Sequence, residues 1–236
     1  MSRFLASECP PEAQVSPQQP TTVAISTNEG EARARLTLPD GEMAGALMLG
    51  HGAGGGVDAP DLRTAASAAL AADWAVALVE QPYRVAGRRS PVPAPHLDAA
   101  WIEVANVLAA AGGRLGGCRR LVTGGRSSGA RVACRTAART GSIGVLCLAF
   151  PLQPPARAAS TTRAASRQSE LDGADVPVLV VQGRTDRFGV PRSSGALRRE
   201  VVRVDGDHGL KRDRAAIAAA ITRWLSALAA RPRGSR

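Results

Sequence analysis

Gly125-Arg126-Ser127-Ser128-Gly129 is the segment of this chain best suited to covalent chemistry. It is a G-x-S-x-G match between a predicted strand, Leu121–Thr123, and a predicted helix, Ala130–Arg139. A strand-to-helix bend this sharp holds its serine in a strained backbone and lifts the hydroxyl above the sheet. Glycines at 125 and 129 remove collisions between the bend and its neighbours. The helix that follows aims its N-terminus at a developing oxyanion. The same five-residue pattern also occurs in plain tight turns of Gly/Ser-rich loops; the strand–turn–helix placement separates the two readings.

A serine nucleophile needs a base. The chain has three histidines, His51, His96 and His208. His51 lies in a glycine-rich loop, where its expected task is to hold that loop by hydrogen bonds. His96 sits in a Pro-rich stretch and reads as surface-exposed. His208 lies in Asp205-Gly206-Asp207-His208-Gly209, between the last predicted strand and the last helix, where an imidazole can swing over the bend. The base in turn needs an orienting acid. Asp186 follows the apolar strand Val178–Gln182 and precedes His208 by a strand and a helix. Asp205 and Asp207 are rivals, but their closeness to His208 suits them better to forming the turn.

The loop Leu49-Gly50-His51-Gly52-Ala53-Gly54-Gly55 follows another apolar strand. Such a loop can turn an amide into the site. The N–H of Ala53, or that of Gly54, together with the N–H of Ser128 would form a two-donor oxyanion hole, with His51, Gly52 and Gly54 supporting the loop. The competing readings are a phosphate-binding loop and a simple flexible turn. The missing G-K-[ST] excludes a Walker loop, and no G-x-G-x-x-G with a distal ribose acid fits the helix that follows.

The elements that must position these groups follow a regular punctuation. Residues 1–20, rich in Pro, Gln and Ser, read as a disordered lead-in, and 231–236 as a flexible tail. Two strands, Thr22–Thr27 and Ala32–Leu38, flank the turn Asn28-Glu29-Gly30. Then come the strand Ala46–Leu49, the helix Asp61–Ala72, the strand Ala75–Val79, a Pro-rich loop Gln81–Pro95 and the helix Leu97–Ala111. After the bend, Ile143–Phe150 is a continuous apolar run suited to a strand covered on both faces. A polar stretch, Gln153–Asp175, precedes Val178–Gln182; a short helix near Ser193–Arg198, a strand Val201–Val204 and a helix Asp213–Ala229 close the chain. In that last helix Ile217, Ile221, Trp224, Leu225 and Leu228 share one stripe. A leading hairpin followed by alternating strand and helix predicts an α/β fold, with a mostly parallel sheet and helices on both faces. The gap between Phe150 and Val178 is too short for a large cap.

Length and composition fit one domain over 21–230: the chain has 236 residues. Aromatics are only 3%, so Ala, Val and Leu must fill the interior and helices must approach the sheet closely. The net charge is +10, almost all of it arginine, since Lys211 is the only lysine. The arginines are scattered and often near acids, so nucleic-acid binding is not favoured. Cys9, Cys118, Cys134 and Cys147 form no CxxC or metal-ligand pattern; Cys134 and Cys147 read as buried small hydrophobes, and no metal or cofactor is expected. No secretory signal and no run of eighteen apolar residues is present, which predicts a cytoplasmic protein without a membrane span.

In these motifs the chain resembles the α/β-hydrolase superfamily throughout 21–230. Within it, the sequence is similar to a compact lidless branch near the dienelactone hydrolases. That branch includes testis-expressed hydrolase-like proteins and the hydrolase-like domain of a chromatin acetyltransferase complex subunit. The likeness is carried by Pro60-Asp61-Leu62, Glu80-Gln81-Pro82-Tyr83-Arg84, Gly124-Gly125-Arg126-Ser127, Phe150-Pro151-Leu152 and the run from Gln182-Gly183 through Asp186 to Phe188-Gly189. It implies an α/β-hydrolase fold and a triad of Ser127, Asp186 and His208. Gln81 and Ala130 depart from the family, which often has an aromatic residue and glycine there. The expected function is a serine hydrolase of the esterase or thioesterase type, acting on a small ester-like molecule through an acyl-enzyme. Tyr83, Arg84 and Arg126 are candidates for substrate contact, the two arginines for a carboxylate. The alternative is a catalytically idle scaffold on the same fold.

Overall fold

The structure, a computed structural model, describes residues 19–110, 112–116, 118, 120–154 and 165–231. The expected lead-in, apart from its last two residues, and the tail beyond Arg231 lie outside the described residues.

Eight strands form one sheet. The leading hairpin consists of β1 (Thr21–Thr27) and β2 (Gly30–Thr37), and β3 (Gly45–Gly50) and β4 (Trp74–Glu80) follow. The second half contributes β5 (Leu121–Arg126), β6 (Gly144–Leu148), β7 (Val178–Gly183) and β8 (Arg199–Val204). The sheet order is β1-β2-β4-β3-β5-β6-β7-β8. β1 and β2 run antiparallel to each other, β2 runs antiparallel to β4, and the remaining pairs are parallel. β3, β6 and β7 are buried along their whole length, which explains their unbroken apolar sequences. β2 instead alternates, with Ala32, Ala34 and Leu36 turned inward.

Helices cover both faces. On one, α1 (Pro60–Leu70) and α6 (Arg214–Ala229) pack Leu62, Ala65, Ile217, Ile221 and Leu225 against Leu47, Leu49, Leu146 and Leu179. On the other, α3 (Ala94–Ala109) sets Trp101, Val104 and Leu108 against Met48, Ala75 and Val79. Beside it, α4 (Ser128–Thr136) approaches β6 and β7 through the small residues Ala130, Ala133 and Cys134. Each fully buried Leu or Ile contributes about 1.5–3 kcal/mol of transfer free energy, so the terminal stripe of α6 is a principal clamp on the sheet.

Three expectations need correction. The Pro-rich segment 81–95 is not all loop: α2 (Pro82–Val85) forms there because Pro82 occupies the first helical position, where its missing N–H costs nothing. The polar stretch contains α5 (Gln168–Asp172), while residues 155–164 of it are outside the described residues. Ser193–Arg198 is not helical. It turns back on itself with a Ser194–Arg199 bridge, and Arg198 at φ 47° breaks any helical path. Smaller shifts have local causes as well. β6 ends at Leu148 because Ala149 takes φ 50°, and α3 starts at Ala94 with prolines tolerated in its first turn.

Candidate active site

Because β3 through β8 are parallel, the loops leaving them emerge at one edge of the sheet, the usual binding edge of an open α/β sheet. β5 delivers Ser127 there, β7 delivers Asp186 and β8 delivers His208. β3, paired with β5 through Gly50 and Gly125, delivers the glycine loop alongside.

Ser127 has φ 52° and ψ −106°, a positive-φ conformation outside even the left-handed helical region and uncommon for a residue with a side chain. Such strain, of order 1–3 kcal/mol, persists only where the surroundings enforce it. Here Ser127 N–H donates to Leu148 O at 2.9 Å, and α4 starts at once with Ser128. The glycine at 129 is required by space: a Cβ there would lie 2.5 Å from Gly50 O and 2.9 Å from His51 O.

His208 Nε2 lies 3.0 Å from Ser127 Oγ, and His208 Nδ1 lies 2.8 Å from Asp186 Oδ2. The Asp186 side chain has no solvent exposure, and its two oxygens face three donors in all, His208 included. Oδ1 accepts from Phe188 N–H at 2.9 Å, and Oδ2 accepts from Gln182 Nε2 at 2.8 Å as well as facing the imidazole. An acceptor-only carboxylate therefore faces Nδ1–H, which leaves the lone pair on Nε2, toward the serine hydroxyl. The rivals are engaged elsewhere: Asp205 pairs with Arg184, and Asp207 caps its own turn by accepting from Gly209 N–H.

The glycine loop is tied down by His51 and Tyr83. His51 Nε2 accepts from Gln81 N–H at 3.1 Å, while Nδ1 faces Gly52 O at 2.9 Å. Both contacts are satisfied only by a neutral ring protonated at Nδ1, and burial accordingly lowers the His51 pKa. His51 is thus a fixed strut with no free lone pair for base chemistry. Tyr83 hydroxyl donates to Ala53 O at 2.9 Å, and burial pushes its own ionisation up to about 12, against the pull of Arg84. Ala53 O lies in the same peptide plane as Gly54 N–H, whereas the peptide that carries the Ala53 N–H is held through Gly52 O, by His51 Nδ1 and by Gly55 N–H. Gly55 N–H closes the turn on Gly52 O, and the exposed Gly54 has open space where a side chain would stand. Ser128 is the first residue of α4, so its amide has no intrahelical acceptor.

The remaining sequence candidates are placed as follows. Arg84, half-buried, donates through Nη1 to Arg88 O. Arg126 has Nε 2.9 Å from Oδ2 of the fully buried Asp61 and donates through Nη2 to His208 O at 3.0 Å. His96 is exposed and meets Glu29 at the hairpin turn.

Three further residues belong to this constellation. Phe188 stacks edge-on against the His208 ring, with centroids 4.6 Å apart. Gln182, buried, fastens Asp186 while also donating to Phe150 O and Gly189 O. Asp61 sits in the first turn of α1. All three fall in segments that carried the family likeness, and that likeness was the only signal in the sequence that singled them out.

The fold recurs in solved structures. The lidless α/β serine hydrolase XC6422 from Xanthomonas campestris superposes with a TM-score of 0.64 at 19% identity, covering 89% of this chain and 97% of that one. Est1E from Butyrivibrio proteoclasticus gives 0.68 at 12% identity over 89% of this chain and 99% of its own. Dienelactone hydrolase from Anabaena variabilis gives 0.64 at 17% identity, over 88% and 96%. At such identities the likeness is one of fold. No curated protein sequence matches the chain. A family model described as an alpha/beta hydrolase domain matches residues 43–230, most of the chain from β3 through α6, and the protein belongs to that family.

Proposed function

We propose that the protein is a serine hydrolase of the esterase or thioesterase type, working through an acyl-enzyme. The observation that carries this reading is the pair of hydrogen bonds joining Ser127 to His208 and His208 to the buried Asp186. Ser127 Oγ attacks the substrate carbonyl as its proton passes to His208 Nε2. Asp186 holds the ring and stabilises the imidazolium. The amides of Ala53 and Ser128 receive the tetrahedral oxyanion; each such donor is worth about 3 kcal/mol in the transition state. Collapse breaks the bond to the leaving alcohol or thiol, which takes the proton from His208. Water, deprotonated by the same ring, then attacks the acyl carbon and frees Ser127.

The placement beside the dienelactone hydrolases and the testis-expressed hydrolase-like proteins forms part of this proposal and is supported by the shared motifs. A scaffold is less well supported, since it has no use for a strained serine aligned with an imidazole and a carboxylate.

A panel of short-chain aryl esters and thioesters tests the reading. Wild type turns over members of the panel with an initial burst of one leaving group per protein, and Ser127→Ala does not. Silence of the wild type across the panel favours the scaffold. Arg84, beside Tyr83 at the glycine loop, is assigned to acidic substrates; Arg84→Ala lowers turnover of acidic esters more than neutral ones.

A further inference from the structure

Arg126 stands next to the nucleophile, but its guanidinium turns toward two other parts of the chain. Nε lies 2.9 Å from Oδ2 of Asp61, and Nη2 donates to the backbone carbonyl of His208 at 3.0 Å. Nη1 lies over the glycine loop, so closely that a Cβ at Gly52 would come within 2.9 Å of it. One side chain thus touches the loop after β3, the first turn of α1 and the loop after β8.

The Asp61 end of this contact is anchored. Asp61 has no solvent exposure, its Oδ1 accepts from Leu62 N–H at 3.0 Å, and the N-terminus of α1 favours a negative charge there. Burial pushes the carboxyl up, and the Arg126 charge opposes that shift. A carboxylate so enclosed needs a counter-charge, and Arg126 supplies it. The His208 end is the part that needs holding. β8 is the edge of the sheet, and residues 205–209 are exposed or half-buried. Within that loop Gly206 is fastened to Thr185, and Gly209 and Leu210 turn back onto Asp207. Among the described residues, Arg126 is the only hydrogen-bond partner of the His208 carbonyl.

We infer that Arg126 is a positioning residue: seated on Asp61, its guanidinium tethers the His208 backbone and so keeps the imidazole in line with Ser127. The inference rests on the serine-hydrolase reading for its effect on rate, but not for the tether itself. A planar guanidinium suits the place because its ion pair with Asp61 and its hydrogen bond to His208 O use different nitrogens at once; a lysine ammonium is a single point charge. With both contacts made, tethering and not substrate binding accounts for the side chain's position.

Three variants test this: Arg126→Lys, Arg126→Met, and the double variant Asp61→Asn/Arg126→Met. The double variant leaves no unpaired buried charge, so it keeps the test informative where Arg126→Met alone fails to fold. Two readouts apply: hydrogen exchange of the 205–210 segment, and kcat and KM on p-nitrophenyl acetate and an acidic p-nitrophenyl ester. The expected result is exchange about ten-fold faster in that segment. With it comes a kcat loss of about ten- to a hundred-fold on both esters, KM staying within about two-fold, as displacement of a reacting group gives. Arg126→Lys recovers the melting temperature of wild type but only part of kcat. Unchanged exchange, a lysine variant equal to wild type in kcat, or a KM defect confined to the acidic ester would each overturn the inference. Faster exchange alongside an inactive wild type would uphold the tether and remove the hydrolase reading instead.

Discussion

Replacing Asp186 with asparagine tests the site's polarity with almost no change in volume. In the native arrangement both carboxylate oxygens act only as acceptors. Oδ1 receives Phe188 N–H, and Oδ2 faces both Gln182 Nε2–H and the His208 Nδ1. An asparagine has one acceptor oxygen and one NH2 group to divide between these positions. With its oxygen beside Phe188, the NH2 group meets the His208 ring, which must then present a lone pair at Nδ1 and carry its proton on Nε2. That tautomer donates toward Ser127 and has no lone pair there to take the hydroxyl proton. With its oxygen beside His208, the NH2 group confronts the Phe188 N–H instead. Gln182 gives no relief, because flipping its amide would set a carbonyl against Phe150 O and Gly189 O. A wrong-tautomer imidazole costs about 10³–10⁴ in kcat, equivalent to about 4–5.5 kcal/mol of transition-state stabilisation. The assay is kcat for an aryl ester that the wild type turns over, with circular dichroism confirming the fold. An Asp186→Asn variant within ten-fold of wild type would refute the reasoning.

Two other outcomes follow from the packing and the electrostatics. Gly129→Ala forces a Cβ to within 2.5 Å of Gly50 O, a backbone atom that cannot swing away, and is expected to lose about 1–3 kcal/mol in urea denaturation and to slow acylation. An unchanged midpoint and rate would show that the bend has slack. His51 is held neutral by burial, so its folded pKa lies below the ordinary value and the folded state binds fewer protons than the unfolded one. Its contribution is complete above about pH 6.5 and is lost as the pH falls toward the lowered folded value. Stability measured across that window should decline in wild type and decline less in His51→Gln; parallel curves would contradict the assignment.

Much of this architecture was legible in the residues themselves. The apolar runs of β3, β6 and β7 announced strands covered on both faces, and the stripe on α6 is the one that packs. Ser127, Asp186 and His208 stand out as candidates because each follows a strand of a parallel sheet, and the topology alone brings such positions to one edge. What stayed hidden depends on approach through space. Nothing near Gln182 in the sequence says that its amide will fasten Asp186, and nothing near Arg126 says that it will reach both Asp61 and the His208 carbonyl. From its loop position Arg126 reads as a substrate contact, whereas its Nε and Nη2 meet groups of the protein. The short α2 was missed because proline reads as a breaker, although at the first position of a helix it starts one. The helix expected at Ser193–Arg198 followed from composition, which cannot register the left-handed turn at Arg198.

Mass spectrometry of the protein treated with a fluorophosphonate probes the central claim most directly. A serine lifted from the sheet on a strained bend and paired with an imidazole should carry one phosphonyl adduct, located on Ser127 and absent from the Ser127→Ala and His208→Ala proteins. An unlabelled wild type, or an adduct on another residue that persists in Ser127→Ala, would contradict the account.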